Sequence, residues 1–402
     1  MIILVLAGGS DQIALIQELK KRGHIVLLVD YFQNPPAKKY ADKHFVASTL
    51  DIPKVTEIAI QEKVNLICTA CTDQALLTVA KVSEDLSLPC YLTYQTALNV
   101  TNKSYMKKVM CSANIPTAKY IMLKSYNPDL LVNFTYPLVV KPADCNSSKG
   151  VKKVHSEEEL KIALDKALEY SRTGSAIIEE FKDGEEISAD FYIENGKVQL
   201  LSATKSIKIQ NSNSFTITQS FYPAITDTQK YDLINIAEQI AFTFNLKNTP
   251  LLIQLILKDD KFNVVEFSAR MGGGSKYKLI EVLSGVNIME KYVDLILGQH
   301  PKVQPHKQVN YAAMNYIYCK PGIFEEILGL ESLVQESYIN YYFLYKTKGM
   351  NISKAETSSD RVAGYLTTAK TMKELREKIS FIDSQIIVLD SSKNDIMIHG
   401  LV

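Results

Sequence analysis

The chain has 402 residues, and 45 Lys or Arg against 44 Asp or Glu give a formal net charge of +1, so no broad field steers nucleic acid or an anionic membrane. A hydrophobic share of 46% with 22% charged residues is the composition of a soluble globular protein, long enough for two or three domains. Six cysteines without a framework spacing fit a reducing cytoplasm, and any anion site has to be local.

Met1-Ile2-Ile3-Leu4-Val5-Leu6-Ala7 lacks a positive leader and is too short for a signal peptide or a membrane span, so it reads as a buried first strand. A helix from Asp11 to Arg22 follows, then a strand at 25 to 29 ending in Asp30, a short strand near 44 to 47, a helix at 53 to 62 and a strand at 64 to 69. That alternation predicts a parallel sheet covered by helices over residues 1 to 93. Gly8-Gly9-Ser10 and Asp30 imitate half of a dinucleotide fingerprint, but G-x-G-x-x-G is absent. A tight turn holding a small substrate at the strand ends is the preferred reading. Cys68-Thr69-Ala70-Cys71 is a C-x-x-C without a second pair or a nearby histidine, short of the four ligands a zinc site needs.

From Asn102 the pattern changes. A helix from Lys103 to Ala113 leads through Ile115-Pro116 to a strand at 118 to 123 and to Tyr136-Pro137-Leu138-Val139-Val140-Lys141-Pro142, a strand ending in lysine. A polar loop, Asn146-Ser147-Ser148-Lys149-Gly150, precedes a strand at 151 to 154. Ser156 with Glu159 forms a capping box for a helix to Tyr170, and Ala176 to Phe181 close the unit as one more strand. The order suggests a small lid, residues 116 to 180, whose hydroxyls, amides and lysines face a phosphate.

Residues 182 to 300 read as a larger antiparallel sheet with helices at 227 to 243 and 276 to 297. The tail, 301 to 402, reads as a separate α+β unit with strands near 309 to 319, 338 to 346, 361 to 368 and 385 to 389, and helices near 323 to 329 and 371 to 382.

Leu251 to Leu257 and Phe262 to Phe267 are two apolar strands joined by Lys258-Asp259-Asp260-Lys261, which sets Gln254 and Glu266 side by side on one sheet face. Two oxygen ligands on adjacent strands suit Mg²⁺, which takes one or two carboxylates and fills the rest of its shell with water and phosphate. An ordinary hairpin with one paired glutamate is the plainer alternative. Glu266-Phe267-Ser268-Ala269-Arg270 then runs into Gly272-Gly273-Gly274, and with only five arginines in the chain, one beside a glycine run stands out.

Taken in order, Lys103, Ile115-Pro116, Lys141, the Ser-Ser-Lys-Gly loop, Glu179-Glu180-Phe181-Lys182-Asp183-Gly184-Glu185-Glu186, Gln254, Glu266, Ser268 and Arg270 resemble the ATP-grasp superfamily of carboxylate-amine ligases over about 103 to 300. Residues 1 to 93 look like the Rossmann-like domain that precedes the grasp in the branch with biotin carboxylase, carbamoyl-phosphate synthase and amino-acid ligases. The resemblance implies an α/β and α+β multidomain chain: a Rossmann-like preATP-grasp domain (1–93), an ATP-grasp domain (94–300) and a C-terminal α+β domain (301–402). It implies ATP with Mg²⁺ or Mn²⁺. Lys103 and Lys141 would contact the nucleotide phosphates, and Ser147, Ser148, Lys149 and Gly150 would form the flap over them, with fewer glycines than usual.

Glu179, Glu180, Phe181 and Lys182 would read the adenine edge, and Glu186 would accept from the ribose hydroxyls. Glu266, with Gln254 and Ser268, would hold the metal. Here Ser268 stands where asparagine is usual. Arg270 would stabilise charge on the transferred phosphoryl group, with Lys205 facing the same phosphates.

The activity implied is an ATP-dependent ligase forming an amide through an acyl phosphate, with an amino acid or small peptide as substrate. Bicarbonate activation of the carboxylase or carbamoyl-phosphate type, a non-catalytic ATP sensor and an NAD-linked oxidoreductase are the alternatives. The partners implied are small-molecule carboxylate and amine substrates, with neither nucleic acid nor membrane, and a homodimer is compatible with them.

Overall fold

The structure, a computed structural model, describes residues 1–145, 149–209 and 215–401. In chain order the first unit comprises β1 (Ile2–Leu6), α1 (Ser10–Lys21), β2 (Ile25–Asp30), β3 (Lys43–Val46), α2 (Ile52–Gln61), β4 (Leu66–Cys68), α3 (Asp73–Asp85), α4 (Tyr94–Thr101) and α5 (Lys103–Ser112). Its strands form a parallel sheet in the order β3-β2-β1-β4. Helices cover both faces, so β1 and β2 are continuous apolar runs rather than alternating ones, and Ile3, Leu4, Val5 and Leu6 are fully buried.

The sequence reading stops at the strand near 64 to 69. The structure adds α3, whose buried Ala75, Leu76, Val79, Ala80 and Val82 complete the cover of that sheet. Asp30 accepts from Gly8 N at 2.6 Å and Phe32 N at 2.8 Å. The acid that imitates a ribose-binding residue is therefore satisfied by the backbone of its own turn and of the β1–α1 turn.

The second unit comprises β5 (Tyr120–Leu123), β6 (Leu138–Pro142), β7 (Lys152–Val154), α6 (Glu157–Tyr170) and β8 (Ala176–Glu180). Its antiparallel sheet runs β5-β8-β6-β7. Leu160, Ala163, Leu164 and Ala167 of α6 supply an i, i+3, i+4, i+7 stripe that packs on the sheet, and Ser156 caps the helix by accepting from Glu159 N.

The remainder runs β9 (Glu185–Glu194), β10 (Lys197–Lys208), β11 (Ile217–Tyr222), α7 (Asp227–Thr243), β12 (Thr249–Lys258), β13 (Lys261–Ser268), α8 (Lys276–Ser284), α9 (Ile288–Ile296), β14 (Tyr311–Ile317), β15 (Gly322–Leu328), α10 (Leu330–Gln335), β16 (Tyr341–Leu344), β17 (Asn351–Ile352), β18 (Ala363–Ala369), α11 (Met372–Gln385) and β19 (Ile387–Asp390). One eight-stranded sheet, β13-β12-β9-β10-β11-β14-β18-β16, crosses the boundary expected at 300, because β14 pairs with β11 through Gln219↔Asn315 to Tyr222↔Ala312.

Two expectations for the tail and its approach need correction. The helix expected over 276 to 297 is two helices, because Gly285 at φ +71° ends α8 and Asn287 caps α9. The segment expected as a helix near 323 to 329 is strand β15, paired with β17 and β19. Strands β17 and β19 satisfy its backbone groups, and Gly329 at φ +92° ends it. Among the described residues no helix is long and apolar enough to cross a membrane.

Candidate active site

The site is built on the β12–β13 hairpin. Asp259 and Asp260 both take positive φ (48° and 60°) in a two-residue turn between Lys258 and Lys261, the backbone twist that matches a tight hairpin. Gln254 then pairs with Glu266 and Leu252 with Ser268, so Gln254 and Glu266 share one face. A register shift after Gln254 leaves Val265 unpaired, a bulge beside the glutamate. Above this face lies a recess of about 30 Å³ lined by Asp73, Lys103, Gln254, Glu266, Ser268 and Arg270.

Lys103, in the first turn of α5, places Nζ 3.0 Å from Glu266 Oε2 and donates to the Cys145 carbonyl at 2.7 Å. Burial would raise the Glu266 carboxyl, but Lys103 and Lys141 outweigh it and hold it below the usual carboxylate range. Its side chain remains 34% exposed, open toward whatever enters the recess.

Asp73, the first residue of α3, is the functional candidate that the sequence reading missed. Its Oδ1 accepts from Arg270 Nε at 2.7 Å, its Oδ2 pairs with Arg270 Nη2, and Ser268 Oγ donates to Oδ1. Arg270 Nη1 donates to the Met271 carbonyl at 2.6 Å. Burial works against the Asp73 carboxylate, yet Arg270 holds it below its ordinary value, and the arginine is driven further toward its charged form. The Nε–Nη2 edge of the guanidinium is therefore taken by a carboxylate from the first unit, and the Nη1 and Nη2 tips are what it can offer a phosphoryl oxygen. The signal for Asp73 was its position, since ligands of open α/β sheets gather at the carboxyl ends of strands and Asp73 begins the helix after β4.

Lys141, near the end of β6, lies 2.5 Å from Glu179 Oε1, and Lys107 of α5 lies 2.8 Å from Glu179 Oε2. Burial would raise Glu179, but the two lysines hold it down to about 2. Its side chain is thus committed to ion pairs rather than to an adenine edge. Glu180 N and Phe181 N donate to the carbonyls of Lys119 and Pro137 at 3.0 and 3.1 Å, so neither amide is free. Lys182 pairs with Glu180 at 3.3 Å, Glu186 with Lys208 at 2.5 Å, and Lys153 sits 3.6 Å over the Phe181 ring.

Lys205 is not brought to the recess. It pairs with Glu185 and is 35% exposed. Ser147 and Ser148 lie outside the described residues. Lys149 sits over the Tyr170 ring at 4.9 Å, and Gly150, at φ +72°, leaves space for Tyr170 and Pro142, which a Cβ would meet at 2.7 and 2.8 Å.

The glycine run packs against side chains. A Cβ on Gly274 would stand 2.5 Å from Arg361 Nη1 and 2.7 Å from Tyr316 OH, and one on Gly272 would stand 2.8 Å from Asp190 Oδ1. Asp11 accepts from Gly274 N at 3.1 Å and Ser275 N at 2.7 Å, tying the run to the first unit. A buried cation, Lys276, and a half-buried one, Arg361, flank it. Lys276 donates to Ser188 Oγ at 2.5 Å, and Arg361 lies 3.6 Å over Tyr316 with its Nε on Tyr318 OH at 3.2 Å. Neither has a carboxylate in ion-pair contact among the described residues, and burial together with Arg361 pushes Lys276 down.

No group of three or more His, Cys, Asp or Glu among the described residues could hold a metal by itself. Glu266 with the Gln254 amide oxygen nevertheless fits Mg²⁺, whose shell is completed by water and substrate phosphates. The Ser268 proton is engaged by Asp73, which leaves its lone pairs as acceptors.

A family model described as an ATP-grasp domain matches residues 134–278. The chain is 24% identical over 321 residues to the phosphoribosylamine–glycine ligase of Thermococcus kodakarensis, covering 73% of each chain. Among solved structures it is similar to the L-amino acid ligase of Bacillus licheniformis, with TM-score 0.79, 20% identity and coverage of 97% and 98% of the two chains. It is also similar to the biotin carboxylase domain of the 2-oxoglutarate carboxylase of Hydrogenobacter thermophilus, solved with MgADP and bicarbonate, with TM-score 0.77, 15% identity and coverage of 96% and 90%. Residues 134–278 thus carry an ATP-grasp domain, framed by the parallel sheet before it and the extended antiparallel sheet around it, and the chain shares its fold with these solved ligase and carboxylase structures.

Proposed function

We propose that this protein forms an amide or peptide bond through an acyl phosphate, with an amino acid or small peptide as its carboxylate substrate. The observation that carries the reading is the convergence in one recess of Glu266, Lys103, Asp73 and Arg270, drawn from three separate parts of the chain. In this reading a substrate carboxylate oxygen attacks the γ-phosphorus of ATP, the bond to the bridging oxygen breaks, and ADP leaves. The amine nitrogen then attacks the acyl carbon, the C–O bond to phosphate breaks with its electron pair going to phosphate, and the nitrogen loses a proton.

Lys103 and Lys141 hold phosphate oxygens as compact charges, and the Arg270 tips face the transferred group. Glu266, Gln254 and Ser268 would hold Mg²⁺ or Mn²⁺, which supplies neutralisation of the triphosphate when bound. Lys276, buried, and Arg361, half-buried, have no carboxylate in ion-pair contact among the described residues and suit the anionic group of the substrate beside Gly272–Gly274. The six cysteines, all free, support a reducing, cytoplasmic setting.

The test is a pairwise screen of amino acids for ADP release with mass detection of the products. Amino-acid-dependent ADP release with a condensed product is the expected result. Release that requires bicarbonate instead would overturn the choice of substrate, and saturable MgATP binding without turnover on any pair would make the protein an ATP sensor.

A further inference from the structure

Glu179 is a single buried carboxylate shared by two buried lysines, and the two are held in different ways. Lys107 is 2% exposed. Its Nζ lies 2.8 Å from Glu179 Oε2 as an ion pair and donates to Thr117 Oγ1 at 2.6 Å, and that hydroxyl donates onward to the Val264 carbonyl at 2.7 Å. Val264 N donates to the Pro116 carbonyl at 2.7 Å. Lys107 is thus fastened where the chain entering the lid crosses the edge of β13. Among the described residues Lys141 bonds Glu179 Oε1 alone. One ammonium is anchored by a hydroxyl as well as by the carboxylate, and the other rests on the carboxylate alone.

A lysine serving a phosphate must leave the acid on which it rests. A buried carboxylate stripped of its only counter-ion is strongly disfavoured, so a lone Lys141–Glu179 pair would resist the transfer. We propose that Lys107 is a positioning residue for nucleotide binding: it remains on Glu179 as a fixed counter-ion, so that Lys141 can pass to a nucleotide phosphate without leaving a bare buried carboxylate. The inference rests on the reading of the recess as an ATP site. It differs from the roles assigned to Lys103 and Lys141 in that Lys107 never touches the nucleotide. Three lysines facing two glutamates, Glu179 and Glu266, then have a physical purpose, since one of the three is permanently engaged.

The test is MgATP binding by titration calorimetry on the full-length protein, well below the melting temperature of every variant. Lys107→Met should bind MgATP at least about tenfold more weakly, because Lys141 is then the sole partner of Glu179 and the free lysine becomes a minor population. Glu179→Gln should bind at least as well as the unaltered protein. The double variant Lys107→Met/Glu179→Gln should recover affinity to within about threefold, a difference under 1 kcal/mol. A merely structural role for Lys107 would lower the melting temperature without this reciprocal pattern in Kd. Unchanged affinity in Lys107→Met, or a double variant as weak as the single one, overturns the proposal. If the unaltered protein itself does not bind MgATP, the ATP-site reading fails and takes this inference with it.

Discussion

Removing the Asp73 carboxylate should be among the most damaging single changes in this molecule. The side chains of Asp73 and Arg270 are only 19% and 14% exposed, and both carboxylate oxygens are engaged by the guanidinium. In Asp73→Ala the arginine keeps the Met271 carbonyl alone, as a buried charge without a counter-ion, and Ser268 Oγ loses its acceptor. Breaking a largely desolvated pair by deleting one partner costs roughly 3–5 kcal/mol, and the lost hydroxyl bond adds about 1 kcal/mol. Partial water access at the recess favours the lower end, about 3 kcal/mol in all.

Deleting both partners, as Asp73→Ala with Arg270→Met, leaves no orphaned charge and should recover more than half of that loss. Urea unfolding of the four proteins in this cycle reads the coupling, and ADP release read in parallel should be lost in the single and the double variants alike. A cost below about 1 kcal/mol for Asp73→Ala, or a double variant whose loss is the sum of the singles, would refute the buried-pair reasoning.

Other expectations concern single residues. Glu266→Ala should abolish ADP formation while the protein stays folded, because a partly exposed ligand is removed rather than a core side chain; an unchanged rate would end the metal assignment. Glu179 is held down at about 2 against an ordinary 4.5. Since its folded value lies below the unfolded one, its contribution, on the order of 3 kcal/mol, is complete above the unfolded value and is lost as pH falls toward 2. Acid unfolding followed by circular dichroism should therefore show a smaller loss between pH 5 and 2 in Glu179→Gln. Gly274→Ala should destabilise by about 1–3 kcal/mol, because φ is +73° and the new Cβ would stand 2.5 Å from Arg361 Nη1; an unshifted thermal melt would show that the arginine yields.

What could be read from the chain alone was what depends on near neighbours. The apolar runs of β12 and β13 with two Asp residues between them dictate a hairpin, and the hairpin dictates that Gln254 faces Glu266. Ser156 and Glu159 announce the start of α6, and the order of lysines, acids and Arg270 carries the resemblance to the superfamily. Short apolar segments were less legible. Gly322–Leu328 has a composition that suits a helix or a strand, and the choice was made by strands β17 and β19, which arrive later in the chain.

The partners of the charged groups were decided by tertiary structure alone. Asp73 meets Arg270 across 197 positions, Lys141 meets Glu179 across 38, and Lys205, which by order belonged with the phosphates, turns to Glu185. A side chain's neighbours along the chain set its backbone, through periods of two or 3.6 residues and a few turn geometries. Its electrostatic partner is set by which elements the packing of four sheets presses together, and that contact has no local signature.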